Sequence, residues 1–158
     1  MKNKILIGLI VIIASITLTG CFKMDKKLVC SGIDKNDINV KTYKYSYSFD
    51  TETGVIKKLE INESQSYTDL RYTDLNSNQG KGLCDTMNSF EGLYCKYDIV
   101  NNNTESKTLI KIDYNKIDFD AEEFMKTNAE LLKYLELKNS NIDKIREEVT
   151  KKMDCLEQ

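Results

Sequence analysis

The chain has no histidine, no proline and no tryptophan among its 158 residues. The missing histidine excludes most. It is the commonest general base, so neither a Ser-His-Asp nor a Cys-His arrangement can be built within this chain. Zinc loses its usual nitrogen ligand, and no two cysteines have the short spacing typical of zinc ligands. The absent proline and tryptophan accompany abundant Asn, Lys and Ile, which we attribute to a coding bias toward AT-rich codons. Gly80-Lys81-Gly82 lacks the length and flanking residues of a phosphate-binding loop. No Asp-x-Asp-x-Asp-Gly calcium loop occurs, and no basic stripe marks a nucleic-acid surface. The sequence therefore predicts no catalytic residues, no metal, no cofactor and no nucleic-acid partner.

A hydrophobic run long enough to span a membrane is lacking as well. Lys2 and Lys4 precede an apolar stretch from Ile5 to Ile16, which ends in Leu18-Thr19-Gly20-Cys21. A spanning helix needs about 20 apolar residues, whereas basic, apolar and small residues in this order form an export signal. The ending resembles the lipobox of bacterial lipoproteins, which implies cleavage before Cys21 and a lipid on its sulfur. Residues 1–20 are thus expected to be a signal peptide, 21–27 a charged lipidated tether, and 28–158 one domain. Removing Lys2 and Lys4 from 23 basic residues leaves 21 against 25 acidic, a formal charge of −4 for the exported chain. The expected place is the extracytoplasmic face of a bacterial membrane, with membrane lipid as partner through acylated Cys21. With Cys21 acylated, Cys30, Cys84, Cys95 and Cys155 remain, an even number that in an exported chain reads as two disulfides with three possible pairings.

What is present is mostly pattern. Tyr43, Tyr45, Tyr47 and Phe49 alternate with Lys44, Ser46 and Ser48, the period of a half-buried strand. Asp50 to Gly54 is a turn, and Val55, Leu59 and Ile61 return, giving a hairpin of 41–49 and 55–64. Leu28-Val29-Cys30 is a further strand candidate. Ser66 to Gly82, with its echo Tyr67-Thr68-Asp69-Leu70 and Tyr72-Thr73-Asp74-Leu75, reads as a loop or loose helix. Leu83, Met87 and Phe90 predict a helix over 82–91, stopped by Gly92. A second hairpin spans 93–100 and 107–114. Asp120 with Glu123 resembles a capping box and opens a helix over 120–136. Ser140 or Asn141 caps a last helix over 141–153. Strands followed by helices predict an α+β fold, an antiparallel sheet of two hairpins with helices packed on one face. The tyrosines are expected to line that covered face. The cluster Asp113, Asp118, Asp120, Glu122 and Glu123 lies where a strand ends and a helix begins, where acids favour the helix's positive end. Local return of the chain after Gly92 favours a Cys84–Cys95 disulfide and so Cys30–Cys155. The competing outcome is Cys30–Cys95, if the two strands that carry them are neighbours.

Taken together, Leu18-Thr19-Gly20-Cys21, the strand around Leu28-Val29-Cys30-Ser31-Gly32, the aromatic hairpin Tyr43 to Ile61, Gly92-Leu93-Tyr94-Cys95, and Ile112-Asp113-Tyr114-Asn115-Lys116-Ile117-Asp118-Phe119 before a helix resemble the YehR-like family of small uncharacterised bacterial lipoproteins. The resemblance implies a compact α+β lipoprotein domain and supplies no active-site residues. The functional expectation is a non-enzymatic binding or structural envelope protein with an envelope protein as a possible partner. The alternative is a small envelope enzyme or enzyme inhibitor using carboxylates or an exposed sheet edge.

Overall fold

A computed structural model of the chain describes residues 25–68 and 70–158, the side chains of 70–76 excepted. Its elements run β1 (Lys26–Lys35), β2 (Asn39–Phe49), β3 (Ile56–Tyr67), α1 (Leu70–Met87), β4 (Leu93–Val100), β5 (Glu105–Asp113), α2 (Phe119–Thr127), α3 (Ala129–Leu135), α4 (Ile142–Val149) and β6 (Asp154–Glu157). The six strands form one sheet in the order β4-β5-β3-β2-β1-β6, and every neighbouring pair is antiparallel. The fold is α+β, with helices on one face. The two expected hairpins are its centre, joined through β3 and β5, and β1 and β6 extend it beyond β2.

Alternation along the strands decides which face is covered. Leu28, Cys30, Tyr47, Leu59, Ile61, Ile110, Ile112, Leu93 and Cys95 are all buried on one side, because the register places Leu28 opposite Tyr47, Tyr47 opposite Leu59, Leu59 opposite Ile112 and Ile112 opposite Leu93. Met87, Ala121, Met125, Leu131, Ile142 and Ile145 come down on them from the helices, and Phe90 stacks on Phe124 with ring centroids 4.9 Å apart. Dry contact on this scale supplies the main folding force.

The helices depart from the sequence reading in four places. First, α1 begins at Leu70 rather than 82, so most of the stretch read as a loop or loose helix is helical; Gly80 lets it press on the sheet, where an added Cβ would stand 2.4 Å from Tyr97 Cε2. It ends at Met87 rather than 91, and Gly92, at φ +80°, makes the turn into β4. Second, the helix expected over 120–136 is two helices: Asn128, with φ −109°, ends α2, and its side chain caps α3 by accepting from the N–H groups of Glu130 and Leu131. Third, the cap of α2 is Asp118, not Asp120: its carboxylate accepts from the Ala121 N–H at 2.9 Å. Fourth, the last helix, capped by Asn141, ends at Val149, and the chain then forms β6.

The first strand begins before Leu28, at Lys26. The sheet already holds Lys26 and Lys27, because the Lys27 N–H donates to the Gln158 carbonyl at 2.9 Å and receives the reciprocal bond at 2.8 Å.

Candidate functional site

No element among the described residues covers the second face of the sheet. Its side chains fall into transverse rows fixed by the strand register. One row crosses all six strands as Asp154, Ser31, Lys44, Asn62, Leu109 and Lys96. The adjacent row is Ile33, Thr42, Ser64, Lys107 and Asp98. Between and beside these rows runs an open groove of about 920 Å³, flanked at its β6 end by Lys151, Lys152 and Met153. Its floor is hydroxyl and amide groups and its charge is largely ammonium. Lys96 pairs with Asp98 at 2.6 Å, and Lys107 with Glu105 at 3.6 Å. Lys44, Lys151 and Lys152 form no ion pair among the described residues.

Nearer the N-terminal end of β1, the same face holds Lys27, Ser46, Ser48, Lys58, Glu60, Tyr94 and Lys111 around a smaller hollow of about 460 Å³. Here charges are matched: Lys58 meets Asp113 at 3.4 Å and Lys111 meets Glu60 at 3.3 Å. Glu60 is held below the usual carboxylate range, first by the hydrogen bond from Asn62 and then by Lys111. It stays ionised and committed to its partners.

The helix side offers a cleft of about 540 Å³ between α1 and α3, with Tyr67, Tyr97 and Tyr134 among its walls and the Cys84–Cys95 link beside it. Lys41 and Glu63 pair across it at 2.9 Å, and the Tyr45 hydroxyl donates to Glu63 at 3.4 Å. The Tyr97 hydroxyl is buried without a hydrogen-bond partner among the described residues, and burial pushes it up against a smaller opposing influence of Ser106. Burial pushes Tyr47, Tyr114 and Tyr134 well above the usual phenol range, and the Tyr114 hydroxyl donates to the Tyr134 carbonyl at 2.8 Å. Phenols held neutral in this way cannot serve as bases near neutral pH. Their work is packing.

Of the residues singled out from sequence, Cys21 lies outside the described residues. The structure joins Cys30 to Cys155, with Cα atoms 4.1 Å apart, and Cys84 to Cys95, at 4.6 Å. Cys30 and Cys95 cannot meet, since β2, β3 and β5 stand between their strands. The carboxylates read as a cluster are separately engaged: Asp118 caps α2, Glu122 pairs with Lys138, Glu123 with Lys126, and Asp113 with Lys58. Among the described residues no three metal-ligating side chains gather, and no helix is long and apolar enough to cross a membrane. The lysine groove escaped sequence reading because its members come from β2, β4, β5 and the segment before β6, and only the register assembles them.

No protein-family model matches the chain, and neither does any curated protein sequence. Among solved structures it is similar to a protein from Streptococcus pneumoniae TIGR4, with a TM-score of 0.54 and 14% identity over 88% of this chain and 90% of that one. The two share a fold. A second match is the YehR protein of E. coli, with a TM-score of 0.49 and 15% identity over 84% of this chain and 93% of that one.

Proposed function

We propose that the chain is a bacterial lipoprotein, held on the extracytoplasmic face of a membrane by a lipid on Cys21, and that its domain is a non-enzymatic binding module. The observation that carries the second half is the uncovered face of the sheet. An antiparallel sheet readily leaves one face to water, but a solvated face does not need an open groove with three lysines unpaired among the described residues. The signal-like N-terminus and lipobox of residues 1–21 support the anchor. The two disulfides agree with an oxidising compartment. Stable attachment takes more than one acyl chain, as a diacylglyceryl cysteine supplies.

Replacing Cys21 with serine tests the anchor. The expected result is loss of acyl labelling and transfer of the protein from the membrane fraction to the soluble exported fraction. Acyl labelling that persists in Cys21→Ser refutes it.

A further inference from the structure

The groove on the uncovered face has a direction, a charge and a chemistry, and together they name an occupant. We propose that it binds a linear polymer bearing phosphate groups, laid across the strands from β6 toward β4. This deepens the reading of the face as a binding surface and rests on it.

Direction comes from the register. Lys44, on β2, and Lys96, on β4, belong to a single transverse row, with Lys107 in the row beside it and Lys151 and Lys152 at the β6 end. Neighbouring strands lie about 4.8 Å apart, so the five intervals from β6 to β4 measure about 24 Å. One small anion reaches only one or two of these ammonium groups. A chain lying along the row passes all five.

Charge comes next. The chain as a whole is acidic, with 25 acidic against 23 basic residues. Yet the groove is lined by the five lysines against the carboxylates of Asp98 and Asp154. Glu63 also lines it, with its carboxylate engaged by Lys41 and Tyr45. A groove of this sign attracts a polyanion and disfavours groove-to-groove pairing of two copies.

Chemistry admits phosphate. Lysine meets phosphate as a point charge and needs no planar fork, the geometry by which arginine grips carboxylate and phosphate alike. Arg146 pairs with Asp143 and Glu157 and does not line the groove. Ser31, Thr42 and Asn62 supply neutral donors between the lysines, as the oxygen-rich stretches of such a polymer require.

The test uses the full chain purified from membranes in detergent, with linear inorganic polyphosphate as the probe and polyglutamate, polygalacturonate and anionic phospholipid vesicles as comparisons. The expected result is polyphosphate binding that weakens linearly in log–log form with salt. In the variant Lys44→Gln/Lys151→Gln/Lys152→Gln that salt slope is expected to fall by about 2 to 3, with unchanged thermal unfolding. A control variant, Lys126→Gln/Lys133→Gln/Lys144→Gln, removes the same charge elsewhere and is expected to bind as the parent does. Equal losses in the two variants overturn the site. Polyglutamate, polygalacturonate or vesicles bound as tightly as polyphosphate overturn the phosphate assignment. No polyphosphate binding at low salt, with the chain still acylated at Cys21, refutes the groove proposal while leaving the anchor intact.

Discussion

The side-chain amide of Asn88 acts as a one-residue strand against Cys95: its Oδ1 accepts from the Cys95 N–H at 2.8 Å, and its Nδ2 donates to the Cys95 carbonyl at 2.9 Å. Cys95 lies on β4, an edge of the sheet, so these are main-chain groups that would otherwise face outward. Unpaired edges invite pairing with other chains. Asn88→Ala is expected to cost about 1–3 kcal/mol, the range for groups left without partners, and to increase self-association. Urea unfolding and sedimentation velocity check the two effects; an unchanged midpoint would refute the clamp.

The two disulfides close loops of very different length, with sequence separations of 125 and 11. In the chain-entropy account the longer bridge is worth about 5 kcal/mol and the shorter about 3. Replacing Cys155 with serine is therefore expected to destabilise more than replacing Cys84 and Cys95 together. Thermal unfolding of the two variants under the same oxidising conditions decides it, and the reverse order would sink the prediction.

Gly80 is the point at which α1 meets β4. A methyl group there would have to displace the Tyr97 ring, whose Cε2 and Cδ2 lie 2.4 and 2.5 Å from the added Cβ. Helix propensity favours alanine over glycine by about 1 kcal/mol, but overpacking typically costs about 1–3 kcal/mol. Gly80→Ala is expected to be neutral to destabilising, and Gly80→Ala/Tyr97→Ala to be less than additive. A clear gain in stability from Gly80→Ala alone would show that the close approach is not needed.

Stability is expected to stay level from about pH 6 to 8.5, because the only side chain whose ordinary pKa falls there, histidine, is absent. Below that range it should fall. The side-chain bonds from Lys57 to Asp50, from Ser64 to Glu105, from Lys138 to Glu122 and from Lys26 to Glu157 hold these carboxyls below their ordinary values. Groups depressed in the folded state stabilise it above their unfolded pKa of about 4 and lose that contribution as pH falls through the folded one. At the alkaline end the buried tyrosines, raised by desolvation, favour unfolding once pH passes about 10. Melting curves across pH 3–11 test this, and a step between pH 6 and 8 would contradict it.

Legibility followed burial. The run Tyr43 to Phe49 announced a strand because its alternation is imposed by one dry and one wet side, and Asn101 to Asn103 announced a turn because all three occupy positive φ. What the sequence hid was decided by distant partners. The polar stretch from Asn76 to Gly82 carries a weak helical stripe, yet it is held in α1 by contact with Tyr97 and the Cys84–Cys95 bridge. Asn128 looks like a helix interior residue until its side chain is seen capping α3. The four residues of β6 are too few to show alternation, and they are recruited by β1 and by Cys30. Strand order, which creates the groove, left no local trace.

Because β6 pairs with β1, the last strand with the first, the domain is short-circuited for tension. A pull applied between the two ends enters β1 at Lys26 and β6 at Glu157, and within a few residues on either side it meets the covalent link between Cys30 and Cys155. The 125-residue separation that the bridge spans is thereby taken out of the load path, and only the few residues outside the link can lengthen. Reduction reverses this: the load then falls first on the ladder between β1 and β6, where Leu28 to Ser31 face Glu157 to Asp154. The two strands are antiparallel and are drawn apart from the same end, so the bonds of that ladder open one after another. The bridge therefore sets how far the chain can be drawn out before the sheet feels the pull.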